Sequence, residues 1–281
     1  MTPKILCCDG YNLLYRARSG FTAGDNPVTY NFFRGFRALV EKFKPTRIYF
    51  VLEGEPKARL TKFPSYKANR EKPTVGTQKY NDYQNYVRQR DFCIDLLSSH
   101  FPVSVMRHPD FECDDVIYNL VKDSVSSIDW TIISTDTDFT QLLAENKHVS
   151  LYNPVAKTFV PATHYDYVKW KALRGDPSDN IDGVPGVGDK TAYSLVTDSD
   201  ALEKFLEIDN RREIFDKNVD LISFERWTPE QAMKTWSSNP VKDWNAVKEK
   251  FDELLFKSMT NEKAWKKFIE TFDEKFISKA G

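Results

Sequence analysis

The stretch DWTIISTDTD, residues 129–138, passes from a short apolar run straight into acid. Trp130, Thr131, Ile132 and Ile133 are β-branched or aromatic, too few for a helix and bounded by polar residues, which predicts a buried strand. Asp136 and Asp138 stand just past its end. The same grammar recurs on either side. KILCCDG (4–10) ends at Asp9, RIYFVLEG (47–54) at Glu53, FPVSVMR (101–107) reads as a further strand, and HVSLYN (148–153) as a weaker one. Between them lie helical patterns at 31–43, with Phe32, Phe36, Leu39, Val40 and Phe43 on one stripe, and at 80–99 and 114–122. Strands alternating with helices predict an α/β fold, a largely parallel central sheet with helices on both faces.

From about Ala162 onward the strand signal stops and helices are expected at 163–173, 189–196, 200–206, 229–236 and 243–256. A break near residue 175 predicts two parts, an α/β core at 1–175 and a helical subdomain at 176–281. No apolar run approaches the roughly 18 residues that span a bilayer. The opening MTPKILCCDG runs at once into a strand, so neither a signal peptide nor a transit peptide is expected. Cys7, Cys8, Cys93 and Cys113 have no disulfide-framework spacing, and Cys7 and Cys8 should face opposite sides of a strand. They read as reduced core residues of a cytoplasmic protein.

Net charge is −1, which on its face disfavours a nucleic-acid partner, but the charge is unevenly spread. Residues 55–90 carry nine Lys and Arg against three acids, a local +6, so the rest of the chain sums to −7. A basic segment set against acidic clusters suits an enzyme holding phosphates and metal ions together; a solvated basic loop is the plain alternative.

In an open parallel sheet, ligands bind at the carboxyl ends of the strands. Asp9, Glu53, Asp136 and Asp138 fall there. FECDDVIYNLV (111–121) adds Glu112, Asp114 and Asp115 at the first turn of a helix, and RGDPSDN (174–180) adds Asp176 and Asp179. Each acid alone reads most simply as a turn or cap residue. If the sheet brings all nine together, pairs near 4 Å would repel by about 4 kcal/mol each at an effective dielectric of about 20, and cations become necessary. All-oxygen ligands without Cys/His pairs at zinc spacing predict magnesium or manganese. His100, His108, His148 and His164 are scattered and take no role.

Taken in order, DGYNLLYR, VLEG, YKANR, FECDDV, STDTDFTQLL and ALRGDPSDNIDGVPGVGDKTA resemble the 5′-nuclease superfamily: flap endonucleases, stand-alone phage 5′–3′ exonucleases and the N-terminal nuclease domain of bacterial DNA polymerase I. The likeness covers about residues 3–195, with a weaker one at ELLFKSM (253–259). It implies a PIN-like nuclease core and a helix–three-turn–helix in the helical part. Asp9, Glu53, Glu112, Asp114 and Asp115 would serve one Mg2+, and Asp136, Asp138, Asp176 and Asp179 a second, with Mn2+ able to substitute. Lys67 and Arg70 match the family's basic pair that contacts the scissile phosphate. DNIDGVPGVGDKTA (179–192) would place Gly183, Gly186, Gly188 and Lys190 against duplex phosphates, with backbone carbonyls for K+. Residues 68–92 fall at the family's arch. There Tyr80, Tyr83 and Tyr86 either stack on a single-stranded flap or bury against the sheet.

Two positions depart from the family. Glu53 stands where Asp is usual, and Asp182 puts an acid inside the turn motif. The resemblance implies a flap endonuclease and 5′–3′ exonuclease acting on DNA 5′ flaps and nicked or branched duplex, a monomer in a bacterial or phage-infected cytoplasm, in replication or repair. A primer-removing nuclease of RNA–DNA hybrids has the same active site, and a non-catalytic junction-binding protein would lack the full acid set.

Overall fold

The computed structural model describes residues 2–22 and 24–273. The expected helical subdomain runs to residue 281, so its last eight residues lie outside the described ones.

Five parallel strands form the centre of the sheet: β1 (Lys4–Asp9), β2 (Arg47–Leu52), β3 (Ser104–Arg107), β4 (Asp129–Ile133) and β5 (Val149–Asn153). They are the five read from the sequence, and the α/β expectation is borne out. β6 (Thr158–Val160) adds antiparallel to β5 at one edge. β7 (Gly175–Asp176) and β8 (Ile181–Asp182) form a separate small hairpin, and β9 (Trp236–Ser237) closes the other edge antiparallel to β3. The sheet order is β6-β5-β4-β1-β2-β3-β9. Segments of two or three residues carry no readable period, which is why the edge strands and the hairpin were not expected.

Strand alternation divides the core. Leu6, Cys8, Ile48, Phe50 and Ile133 face one cluster; Ile5, Cys7, Val51, Trp130 and Ile132 face the other. The helices preceding the C-terminal part are α1 (Gly10–Arg16), α2 (Pro27–Phe43), α3 (Lys57–Lys62), α4 (Gln78–His100), α5 (Cys113–Asp123) and α6 (Thr140–Leu143). On the first face lie α2 and α4, with the expected stripe of Phe32, Phe36 and Val40 buried. On the second lie α5 and α6, with Trp227 packed beside them.

The C-terminal helices do two different things. α7 (Tyr167–Arg174), α8 (Asp189–Val196), α9 (Ser199–Leu206) and α10 (Arg211–Ile222) build a cluster of their own around Leu173, Ala192, Leu206 and Phe215. After α11 (Pro229–Ala232), α12 (Trp244–Glu253), α13 (Lys257–Thr260) and α14 (Glu262–Asp273) return to the first face of the sheet. Phe33 there meets Phe251 at 5.0 Å and Phe101 at 5.3 Å, and Phe36 meets Phe272 at 5.8 Å. This differs from the division at residue 175 in two ways: α7 joins the helical cluster, and residues 244–273 join the α/β core. An apolar stripe shows that a helix packs, not what it packs on. The helix expected over 229–236 also resolves into α11 followed by β9.

Candidate active site and metal centre

The strand ends place the acids. Asp9 is the last residue of β1, where its carboxylate caps α1 by accepting from Asn12 N–H at 3.2 Å; it also accepts from Ser134 Oγ at 2.7 Å. Burial raises its pKa against these bonds. Glu53 follows β2 and accepts from Cys113 N–H at 2.9 Å. Burial and the neighbouring Asp9 push its carboxyl up to about 7. Thus the longer side chain at this position reaches across to the N-terminus of α5.

Glu112 opens α5, and three groups converge on it: Arg59 Nη1 at 2.8 Å, Tyr66 Oη at 2.9 Å and Lys67 Nζ. Burial would raise its pKa, but Lys67 and Arg59 outweigh that and hold it low. Asp114, in the same turn, has no such cation of its own among the described residues. Burial and the charges of Asp115 and Glu112 raise its pKa well above the carboxylate range. Carboxylate oxygens of Glu112, Asp114 and Asp115 lie within 4.8 Å of one another.

Asp115 is nevertheless differently employed. It is fully buried, Arg59 grips both its oxygens at 2.6 and 2.8 Å, and Glu225 N–H donates to one of them at 2.7 Å. The remaining bonds of the guanidinium go to the carbonyls of Leu221 and Ser223. Arg59 therefore fastens α5 to the end of α10, and Asp115 does not line the cleft described next. Its oxygens still lie with those of Glu112 and Asp114, as the expected metal role requires, but Arg59 and Glu225 N–H already take three of their lone pairs.

Across the cleft, Asp136 follows β4 and caps the next turn through Asp138 N–H at 2.9 Å. Burial and Asp138 push it up to about 6. Asp138 accepts from Tyr167 Oη at 2.8 Å and from Lys171, and Lys171 also reaches Asp176 at 2.6 Å. Burial works against the Lys171 charge, but these carboxylates outweigh it and raise its pKa. Asp179 sits elsewhere than expected. It pairs with Arg70 at 2.6 Å and Lys67 at 3.6 Å, on the Glu112 side. Backbone bonds pin its turn to residues 65–69: Lys67 N–H donates to the Asp179 carbonyl, Asn180 Nδ2 to that of Ser65, and Asn69 Nδ2 to that of Pro177. Asn180 adopts a left-handed φ of 59° to allow this.

Eight of the nine acids thus line one cleft of about 770 Å3, together with Lys67, Arg70, Lys171, Arg16 and Arg174. The donor set is oxygen. Cys113 also lines the cleft, but burial and nearby carboxylates raise its thiol pKa, so it is a neutral donor to the Val51 carbonyl. Hard divalent ions fit such a set: burial raises Asp9, Glu53, Asp114 and Asp136, and neighbouring carboxylates add to this at Glu53, Asp114 and Asp136, which a cation would relieve. Sequence reasoning missed Arg59, Tyr66, Tyr167 and Lys171. Arg59 lay in view inside the basic segment, but nothing local distinguishes a buried guanidinium from an exposed one.

The residues assigned to DNA lie outside this cleft. Tyr83 is exposed on α4, Tyr80 is half-buried at its start, and only Tyr86 is buried, edge-on to Tyr15 at 6.0 Å. A Cβ on Gly183 would collide with the Arg174 carbonyl, Gly186 has φ 79°, and Gly188 precedes α8, with Lys190 exposed on its first turn. An Arg174–Asp189 pair at 2.5 Å joins this loop to the cleft.

The model of the 5′-3′ exonuclease N-terminal resolvase-like domain matches residues 4–172, and that of the 5′-3′ exonuclease C-terminal SAM fold matches residues 162–226. The chain belongs to the 5′–3′ exonuclease family. It is 30% identical over 226 residues to the 5′-3′ exonuclease of Bacillus subtilis (strain 168), covering 73% of each chain. DNA polymerase I of the same organism is 30% identical over 223 residues, of which the match spans 24%. Among solved structures, the T5 D15 protein co-crystallised with metal ions aligns with TM-score 0.65 at 19% identity, over 95% of this chain and 99% of that one. The catalytic core of Rad2 in complex with DNA substrate aligns with TM-score 0.56 at 14% identity, over 97% and 93%. These structures share the fold. As a member of that family the chain is a 5′–3′ exonuclease.

Proposed function

We propose that this 5′-nuclease hydrolyses DNA phosphodiesters at 5′ flaps, nicks and branched junctions, with two Mg2+ as its working cations and Mn2+ able to replace them. The observation that carries the reading is one cleft with two facing groups of carboxylates, each already threaded by a lysine ammonium. Asp9, Glu53, Glu112 and Asp114 would hold one ion; Asp136, Asp138 and Asp176 the other, with Asp179 at the margin of the first group. Such ions lower the pKa of an attacking water and offset charge on the phosphoryl and leaving oxygens.

The chain's own residues do the positioning. Tyr66 and Arg59 orient Glu112, and Ser134 and Asn12 orient Asp9. Lys67 and Arg70, at the cleft margin, supply positive charge to the scissile phosphate. The glycine loop 183–188 and Lys190 would hold duplex backbone without reading bases, with loop carbonyls available to K+. No helix among the described residues is long and apolar enough to cross a membrane. Labelled 5′-flap, nicked and RNA–DNA substrates, incubated with magnesium or with EDTA, test this directly. Cleavage of the flap and nick only with magnesium is expected. Full activity in EDTA, or cleavage confined to the RNA–DNA substrate, overturns it.

A further inference from the structure

Lys171 lies inside the second group of cleft carboxylates. Its side chain is 9% exposed, and its Nζ lies 2.5 Å from Asp138 Oδ1 and 2.6 Å from Asp176 Oδ2. The other oxygens nearby are already shaped around it. Tyr167 Oη donates to the same Asp138 oxygen at 2.8 Å, and Ser178 holds the second Asp176 oxygen through both its N–H and its hydroxyl. The ammonium therefore bridges two acids from separate elements, the turn after β4 and the β7 hairpin. A divalent ion held by Asp138 and Asp176 would need the same oxygens. One seat cannot hold both cations.

We propose that Lys171 is a built-in counter-cation of the second carboxylate group, which a divalent ion must displace in order to bind there. The inference rests on the two-ion reading above and adds an order to it. The first group also holds a lysine, Lys67 on Glu112, but leaves three carboxylates, Asp9, Glu53 and Asp114, without an ion-paired cation among the described contacts. The second leaves one, Asp136, so the first group binds a divalent ion more readily. The second group, with Lys171 in place, binds weakly. A displaced Lys171 remains tethered on α7 at the cleft wall beside Arg174, where an incoming phosphate offers its ammonium a new partner. Phosphate and second ion then favour one another, since each takes what the other releases. Metal-free enzyme is meanwhile spared an uncompensated cluster of Asp136, Asp138 and Asp176.

The test is Mn2+ binding followed by electron paramagnetic resonance and by calorimetry, on wild type, Lys171→Met and Lys171→Arg, each checked by circular dichroism for folding. Wild type should take up one ion tightly and a second at least tenfold more weakly. Removing the ammonium should tighten the second step by about tenfold or more, because a unit charge near 4 Å is no longer opposed to the ion. Lys171→Arg keeps the charge and should keep the weak second step, which separates the counter-cation role from a general loosening of the fold. A second step that stays equally weak in folded Lys171→Met, with the first step intact, overturns the proposal and leaves the two-ion reading standing. No uptake by any of the three proteins overturns the two-ion reading itself.

Discussion

Replacing Arg59 by Met should destabilise the protein more than any other single change at the site. The guanidinium is 4% exposed and makes five hydrogen bonds, three to Glu112 and Asp115 and two to the carbonyls of Leu221 and Ser223. Methionine fills much of the same volume, so the loss is electrostatic. Asp115, with no exposed surface, is left as an uncompensated buried charge, and breaking a buried pair in this way costs about 3–5 kcal/mol. A domain of ordinary stability has ~5–15 kcal/mol in all, so the variant should unfold at a clearly lower urea concentration. The assay is urea denaturation in EDTA for wild type, Arg59→Met, Asp115→Asn and the double variant. Neutralising Asp115 in the Arg59→Met background should recover about 1–3 kcal/mol, the coupling expected of groups in direct contact. Magnesium dependence supplies the functional half: Asp115→Asn should shift the half-maximal magnesium concentration less than Asp114→Asn does. Loss of under about 1 kcal/mol in Arg59→Met, or strict additivity in the double variant, would refute the argument that Arg59 holds Asp115 in the fold.

Lys67→Ala should lower single-turnover cleavage by about a hundredfold while changing DNA affinity little, because its charge meets the developing phosphoryl charge; Lys62→Ala, whose ammonium pairs with Asp220 on an exposed surface, should stay near wild type. Equal loss of affinity in both variants with unchanged cleavage rates would make Lys67 ordinary basic surface. Glu53→Gln can still accept from Cys113 N–H but should raise the magnesium needed for half-maximal activity, and a magnesium titration superimposable on wild type would exclude Glu53 as a ligand. The metal-free protein should lose stability as the pH rises from about 4.5 to about 7. Glu53 and Asp136 have folded pKa values raised to about 7 and about 6, so their protonated forms favour the fold and that contribution disappears as pH rises through these values. Glu112 and Asp176, held low, lose their contribution only at far more acid pH. Thermal melts in EDTA that are flat or rising across this window contradict the crowding argument, and saturating magnesium should remove the fall.

Much of this protein is written locally. Leu6 and Cys8 against Ile5 and Cys7, and Ile133 against Ile132, alternate between the two core clusters as any buried strand must, so the five parallel strands and the acids at their ends could be read from sequence. The stripe on α2 was equally legible, since a helix repeats its buried face every three or four residues. What could not be read depends on partners far apart in the chain. Asp114 and Asp115 are neighbours of one type, yet one borders the cleft and the other is gripped by Arg59, 56 residues away. Asp179 lies three residues beyond Asp176 but is drawn to Lys67 by a turn bonded to residues 65–69. Lys171 reads as one more charge on a helix until the β4 and β7 ends bring Asp138 and Asp176 to it. Helices α12–α14 show an apolar stripe but not that it belongs to the sheet. Local periodicity fixes which way a side chain points along its own element; which charge it meets there is decided by packing between elements, and only the tertiary structure supplies that.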